Sequence, residues 1–273
     1  MGWISHALKK VKNKNIIMSK TKIEWSDLTW NPTTGCDKIS QGCKNCYACP
    51  MAKRLKAMGQ KKYANEFKLT IHESELLRPY EWKKPLKVFV NSMSDLFHKD
   101  VPIEFIQKVF KVMNETPHIT YQVLTKRANL LYEYDQKGLL NWSDNIWMGV
   151  SVEDKENTYR IDYLSKTGAK VKFLSCEPLI GDLGQIDLSE IQQCLVGGES
   201  GKGARVVKLE WIKNIKEQCE YYGTAFFFKQ WGDKKFNPDQ TDPTKIKGHP
   251  EYSKGGSQLE GIIYREFPMV SAA

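Results

Sequence analysis

"LKVFVNSMSDLFHKDVPIEFIQKVFKVMNETPHITYQVLTKR", residues 86–127, holds one strand–helix–strand unit of the kind from which most of the chain is built. "LKVFVN" (86–91) is short, apolar and β-branched, and reads as a strand. "PIEFIQKVFKVMN" (102–114) sets Ile103, Ile106, Phe110 and Met113 on one stripe at helical spacing, with Asp100 ahead of Pro102 as a helix start. "ITYQVL" (119–124) is a second strand, followed by a helix expected from about 127 to 137. The alternation continues with strands at "IWMGVS" (146–151), "KVKFLS" (170–175), "CLVGG" (194–198) and "AFFFKQ" (225–230). Helices are expected near Asp154 and over Leu209, Ile212, Ile215 and Cys219, and a seventh strand at "LTWNP" (28–32). Alternating β and α units predict a parallel sheet. About six to seven such units predict an α/β, TIM-like (β/α) barrel, complete or partial; an open doubly wound sheet is the alternative.

The chain has 273 residues and is 41% apolar, enough for one sizeable core. Residues 20–273 read as one domain with a loop-rich tail from about residue 232, where Gly, Pro, Asp and Lys crowd together. Residues 1–19 read as a flexible basic leader, with Met18 as an alternative start. No run approaches 18 apolar residues, so no membrane span is expected. The first residues lack the apolar stretch of a secretory signal. The expected location is cytoplasmic, with the seven cysteines reduced.

The net charge of +9 is unevenly spread. Residues 1–87 hold 18 Lys and Arg against 7 Asp and Glu, or +11; the rest holds 23 against 25, or −2. A surface of that sign attracts polyanions, nucleic acid first among them. Solvated surface lysines are the plain alternative.

The ends of the expected strands carry the polar groups: "NSMSDLFH", "LTKR", "SVED", "SCEP", "GGESG" and "KQWG". In parallel α/β folds the working residues sit at these C-terminal strand ends. Single groups such as Asp154 or Thr125 serve equally as helix caps, but six in register predict a lined pocket. Glu177, between Cys176 and Pro178, is held extended by the proline and aimed across the mouth, with Lys126 or Lys229 as its structural partner. "VGGESG" (196–201) matches neither G-x-G-x-x-G nor a Walker loop; its glycines suit close approach to the backbone.

Four of the seven cysteines lie within 14 residues: Cys36, Cys43, Cys46 and Cys49, spaced C-x6-C-x2-C-x2-C. Thiolates this close converge on zinc or on iron in a cluster. Zinc favours four ligands, often from two separated pairs. A single tight loop instead resembles the cysteine run of a ferredoxin. Three cysteines on a cubane leave one iron open to a ligand, whereas four close the site. Cys176, Cys194 and Cys219 read as buried apolar residues. Trp25, Trp30 and Trp231 read as core, and the five histidines show no ligand spacing.

"WNPTTGCDKISQGCKNCYA", "FVNSMSDLFH", "LTKR", "GVSVED", "FLSCEPLIG", "VGGESG" and "FFFKQWG" together resemble a phage-associated three-cysteine-motif family. That family is related to the radical S-adenosylmethionine enzymes, and the resemblance runs from about residue 23 to 268. Three departures accompany it: the first gap between cysteines is six where those enzymes usually show three, Asn45 precedes Cys46 where they tend to place an aromatic, and Cys49 is additional. The resemblance implies that Cys36, Cys43 and Cys46 hold a [4Fe–4S] cluster in the loop after the first strand. It implies that S-adenosylmethionine binds the open iron and yields a 5′-deoxyadenosyl radical. It assigns cofactor binding to Asn91, Ser94 and Asp95 after the second strand, to Arg127, and to Ser151 and Glu153. Gly197 and Gly198 would flank the adenine. Lys126 and Glu177 are its catalytic candidates, and an external electron donor, with or without a partner protein, is implied.

Three functions follow. The first is a radical enzyme that modifies or repairs a nucleic acid or nucleotide. The second is a non-catalytic nucleic-acid-binding protein stabilised by zinc or a cluster. The third is a hydrolase that uses Asp95, Glu153, Glu177 and Glu199 with hard metals. Only the first accounts for the cysteines, the charge and the polar strand ends together.

Overall fold

A computed structural model describes residue 21 and residues 23–269. The leader expected over residues 1–19 lies outside the described residues.

In chain order the strands are β1 (Leu28–Trp30), β2 (Thr33–Thr34), β3 (Thr70–Ile71), β4 (Leu86–Val90), β5 (Ile119–Thr125), β6 (Ile146–Ser151), β7 (Val171–Cys176), β8 (Gln193–Gly197) and β9 (Ala225–Gln230). The α-helices are α1 (Ala48–Ala57), α2 (Ile103–Asn114), α3 (Ala128–Gln136), α4 (Tyr159–Ser165) and α5 (Leu209–Tyr222). Seven strands form one parallel sheet in the order β1-β4-β5-β6-β7-β8-β9. Every strand lies beside its predecessor, which is the path of a barrel. A doubly wound sheet reverses its order at a switch point, and this sheet has none. The sheet curls but β1 and β9 do not pair, so the barrel is partial.

Period-2 alternation separates the two faces of the sheet. Val88, Val90, Tyr121, Val123, Ile146, Met148 and Val150 pack on the helical layer, where Ile106, Phe110 and Met113 of α2 are fully buried. Trp25, Phe89, Trp147, Phe173, Leu195 and Phe227 fill the concave face. Trp30 and Trp231 are core residues, as are Cys176, Cys194 and Cys219. Gly149 sits among the aromatics because a Cβ there would lie 2.4 Å from the Phe173 ring. Gly149→Ala should therefore cost about 1–3 kcal/mol by overpacking. Denaturant unfolding would measure the loss, and adding Phe173→Leu should recover much of it.

The structure differs from the sequence reading in local ways. Helix α2 starts at Pro102 without a side-chain cap, and the Asp100 N–H donates instead to His98 Nδ1 at 3.2 Å. The turn after Asp154 opens as a 3-10 helix, Lys155–Asn157, before the short α4. No helix bridges β7 and β8. The exposed edge of β9 is covered from the tail: the Phe228 N–H donates to the Tyr264 carbonyl and the Glu266 N–H to the Phe226 carbonyl. That pairing blunts an edge that would otherwise invite aggregation. None of the described helices is long and apolar enough to cross a membrane.

Candidate functional site

The C-terminal strand ends form one rim, and the cysteine loop lies across it. The loop leaves β1, makes the short β2–β3 ladder and returns to the rim at Gly35, whose N–H donates to the Met93 carbonyl at 2.9 Å. Gly35 has φ +83°, and a Cβ there would meet the Lys68 backbone at 2.3 Å. Cys36 follows it, Cys43 closes the 3-10 turn Gln41–Cys43, and Cys46 packs beside Met93 below α1. Cys49 lies in the first turn of α1. All four thiols are half-buried.

Three rim carboxylates, at the ends of alternate strands, each tie down a different point of this loop. Asp95, after β4, holds the Arg127 guanidinium at 2.8 Å, and Arg127 Nη1 reaches Cys36 Sγ at 3.6 Å. Glu153, after β6, accepts from Ser40 Oγ at 2.8 Å and pairs with Lys126 at 2.5 Å and Arg160 at 2.8 Å. Gly42 leaves room for that carboxylate, since a Cβ there would lie 2.4 Å from Glu153 Oε1. Glu199, after β8, accepts from Asn45 Nδ2 at 3.0 Å and holds Arg205, whose Nη1 donates to the Gln41 carbonyl at 2.9 Å. Asp95, Glu153 and Glu199 are 6%, 0% and 5% exposed, so these contacts are made largely out of water.

Burial alone would raise the Glu153 carboxyl, but Lys126, Arg160 and Ser40 outweigh it and hold it below the usual carboxylate range. Glu199 is likewise held low by Arg205 and Asn45 against its burial. Each therefore stabilises the fold above its unfolded value, about 4.3, and that contribution is lost as pH falls through the depressed folded value. Thermal midpoints should drop on acidification through this window, and Glu153→Gln and Glu199→Gln should each flatten the profile there. Cys36 moves oppositely: burial first, then Asp95, push its thiol up to about 11 in spite of Arg127. A bare thiolate is disfavoured at that point of the loop, and a bound cationic centre would offset the penalty.

The remaining expected residues fall on the same rim. Asn91, at φ +60°, donates to Thr33 Oγ1 at 2.9 Å, and its buried Oδ1 has no hydrogen-bond partner. Ser94 donates to the Thr33 carbonyl, and Ser151 ends β6 with its carbonyl accepting from Arg160. Glu177 pairs with Lys229 at 3.2 Å, one of its two expected structural partners; Lys126 went to Glu153 instead. The buried Oε1 of Glu177 makes the Lys229 contact, as an ion pair and not as an aligned hydrogen bond. Gly197 is filled by Glu177, 2.7 Å from where its Cβ would be, and Gly198 by the Trp231 carbonyl at 2.1 Å. The close approaches at these two glycines are thus made within the chain. Thr125 caps Arg127 N–H at 2.9 Å and donates to Asp95.

Several residues were not singled out from sequence: Ser40, Asn45, Arg160, Arg205 and His98. His98 is 2% exposed, lies 3.1 Å from Asp37 Oδ2 through Nε2, and accepts from the Asp100 N–H at Nδ1. Asp37, His98 and Asp100 are the one set of three potential metal ligands within 4.8 Å among the described residues. Only the H-x-D spacing signalled it, because Asp37 arrives from a different strand end.

The donor set fits a soft metal or an iron–sulfur cluster: four half-buried thiols lie on one loop, and Cys36 has the Arg127 guanidinium beside it. The rim fits a ligand with a hydrogen-bond donor, because the buried Asn91 Oδ1 lacks a partner. The rim carboxylates do not gather around one ion: Asp95, Glu153, Glu177 and Glu199 each hold their own cation.

The family described as "Protein of unknown function (DUF5131)" matches residues 20–268. No curated protein matches the sequence. Among solved structures, a spore photoproduct lyase complexed with dinucleoside spore photoproduct is similar in chain path, with a TM-score of 0.45 and 12% identity. The match covers 76% of this chain and 64% of that one.

Proposed function

The chain belongs to the DUF5131 family, and we propose that it is an iron–sulfur enzyme of the radical S-adenosylmethionine type acting on a nucleic acid. One observation carries the reading: a loop with three spaced thiols is fastened at three points to the C-terminal rim of a parallel partial barrel. A purely structural metal site has no need of the rim.

Cys36, Cys43 and Cys46 would hold the cluster. A [4Fe–4S] cluster with S-adenosylmethionine supplies, when bound, one-electron cleavage of the sulfonium bond and a 5′-deoxyadenosyl radical for hydrogen abstraction. The chain's own residues bind, orient and exclude water. Asn91 Oδ1, buried without a partner, would accept from an ammonium, with the Ser94 and Ser151 hydroxyls as further polar contacts after β4 and at the end of β6. Gly197 and Gly198 shape the far wall. Lys126 and Glu153 keep the loop seated over the mouth. Glu177 and Lys229, the rim pair not tied to the loop, face the substrate side. Their pairing keeps a carboxylate and an ammonium poised for a polar substrate. The aromatic plug of Trp147, Phe173 and Phe227 closes the bottom against water.

The nucleic-acid part rests on charge. Residues 38–68, the loop with α1 and the turn beyond, hold 8 Lys and Arg against one Glu. Lys53, Arg54 and Lys61 are exposed there beside exposed Tyr47 and Met58. Cations beside stacking surfaces suit a phosphate backbone with its bases.

Anaerobic protein reconstituted with iron and sulfide, then reduced, should cleave S-adenosylmethionine slowly to methionine and 5′-deoxyadenosine. A loaded, reduced protein that forms no 5′-deoxyadenosine, and whose spectrum S-adenosylmethionine does not change, would overturn the enzyme reading. Binding to DNA or RNA should weaken steeply with salt. No binding at low salt removes the nucleic-acid part, and stoichiometric zinc without iron uptake leaves a metal-stabilised binding protein.

A further inference from the structure

We propose that Arg127 is the hydrogen-bond donor to the Cys36 thiolate of the bound cluster, and that Asp95 is the positioning residue that holds it there. Together they set the potential at which the cluster accepts an electron. This rests on the cluster reading above and deepens it.

Arg127 Nη1 lies 3.6 Å from Cys36 Sγ, within reach of a hydrogen bond to sulfur, and 2.8 Å from Asp95 Oδ2. Its Nη2 reaches the Asp37 carbonyl at 3.5 Å, so the fork straddles the peptide that follows Cys36. Arg127 and Asp95 are each 6% exposed. Asp95 is fully committed: Oδ1 accepts from the Phe97 N–H at 3.0 Å and Thr125 Oγ1 at 2.7 Å, and Oδ2 from the Lys126 N–H at 3.1 Å and Arg127. Four donors from two adjacent strand ends leave the carboxylate one orientation, and the guanidinium inherits it.

This arrangement assigns Arg127 and Asp95 to the loop in place of the cofactor contacts that the resemblance implied. A ligand carboxylate at Arg127 would have to compete with Asp95, and a ligand ammonium at Asp95 would find its oxygens occupied. Cys43 differs from Cys36, for its nearest donor is the neutral Ser40 Oγ at 3.7 Å. One thiolate of the three is thus singled out for a cationic partner.

The physical consequence has a sign. Reduction adds negative charge to the cluster. A buried cation donating N–H to a ligand sulfur stabilises the reduced state more than the oxidised one and raises the potential. Burial keeps water from screening the effect.

The test uses anaerobically reconstituted full-length protein, Arg127→Met and Arg127→Lys, with two readouts: iron per chain, and midpoint potential from a redox titration followed by visible absorbance. Iron per chain gives the loaded fraction of each variant, and Arg127→Lys, which keeps the cation, should load more than Arg127→Met. The midpoint should shift negative in Arg127→Met, and less far in Arg127→Lys, which keeps the charge opposite Asp95 but loses the second N–H. A merely structural Arg127 would change loading or folding without moving the potential of the clusters that form. Should Arg127→Met not fold, because Asp95 is left buried and unpaired, Arg127→Lys decides alone. Loaded variants with the wild-type midpoint overturn this inference and leave the cluster reading intact. Wild type that takes up no iron overturns the cluster reading, and this inference with it.

Discussion

Anaerobic wild-type protein is expected to bind about four irons per chain, and alanine at Cys36, Cys43 or Cys46 to abolish that binding. The loop presents these thiols from three different local settings: after the left-handed Gly35, at the end of a 3-10 turn, and beneath α1. None of the three can substitute for another without unfolding the loop, so partial loading is not expected. Cys49→Ala should leave iron content nearly unchanged, since Cys49 belongs to the helix that follows and is additional to the three. Iron and sulfide analysis with visible absorbance decides it. Loss on Cys49→Ala equal to the other three would show a closed four-cysteine site, with no corner open for a cofactor.

Glu153→Ala should be the most damaging single change away from the cysteines. Glu153 is fully buried and is shared by Lys126, Arg160 and Ser40. Arg160 is itself 1% exposed and would keep its charge with no carboxylate beside it. Removing one partner of a buried pair costs about 3–5 kcal/mol. The loss should appear as a lower denaturant midpoint with an unchanged slope. Ser40 loses its anchor in the same step, so iron uptake should fall as well. If stability and iron uptake both stay at wild-type levels, Glu153 does not hold the loop.

Much of the architecture was legible before any coordinate. The stripe Ile103, Ile106, Phe110 and Met113 has only one period, and that period is helical. "LKVFVN", "ITYQVL", "IWMGVS" and "AFFFKQ" are too short, and too rich in β-branched or aromatic residues, to be helices. Their alternation with helices already required parallel strands. The rim was legible for a related reason. Once the strand parity is known, Phe89 and Asn91, Leu124 and Lys126, Ser151 and Glu153, Phe173 and Glu177, Leu195 and Gly197, and Phe227 and Lys229 each share one side of the sheet. The later member of each pair lies within two residues of the strand's end.

The pairings on that rim were not legible. Sequence shows that Glu153 and Ser40 are polar; it does not show that they touch across 113 residues. Which cation each carboxylate takes depends on distances set by sheet curl and crossover length, and local pattern carries neither. The same limit hid the covering of β9 by the tail, the gathering of Asp37 with His98 and Asp100, and the failure of β1 and β9 to close. By itself the sequence determined the elements, their parallel order and the place of the thiols, because periodicity and spacing are local properties. Only the tertiary structure decided that Asp95, Glu153 and Glu199 serve the cysteine loop, because a buried charge takes as partner whichever opposite charge the fold brings within reach.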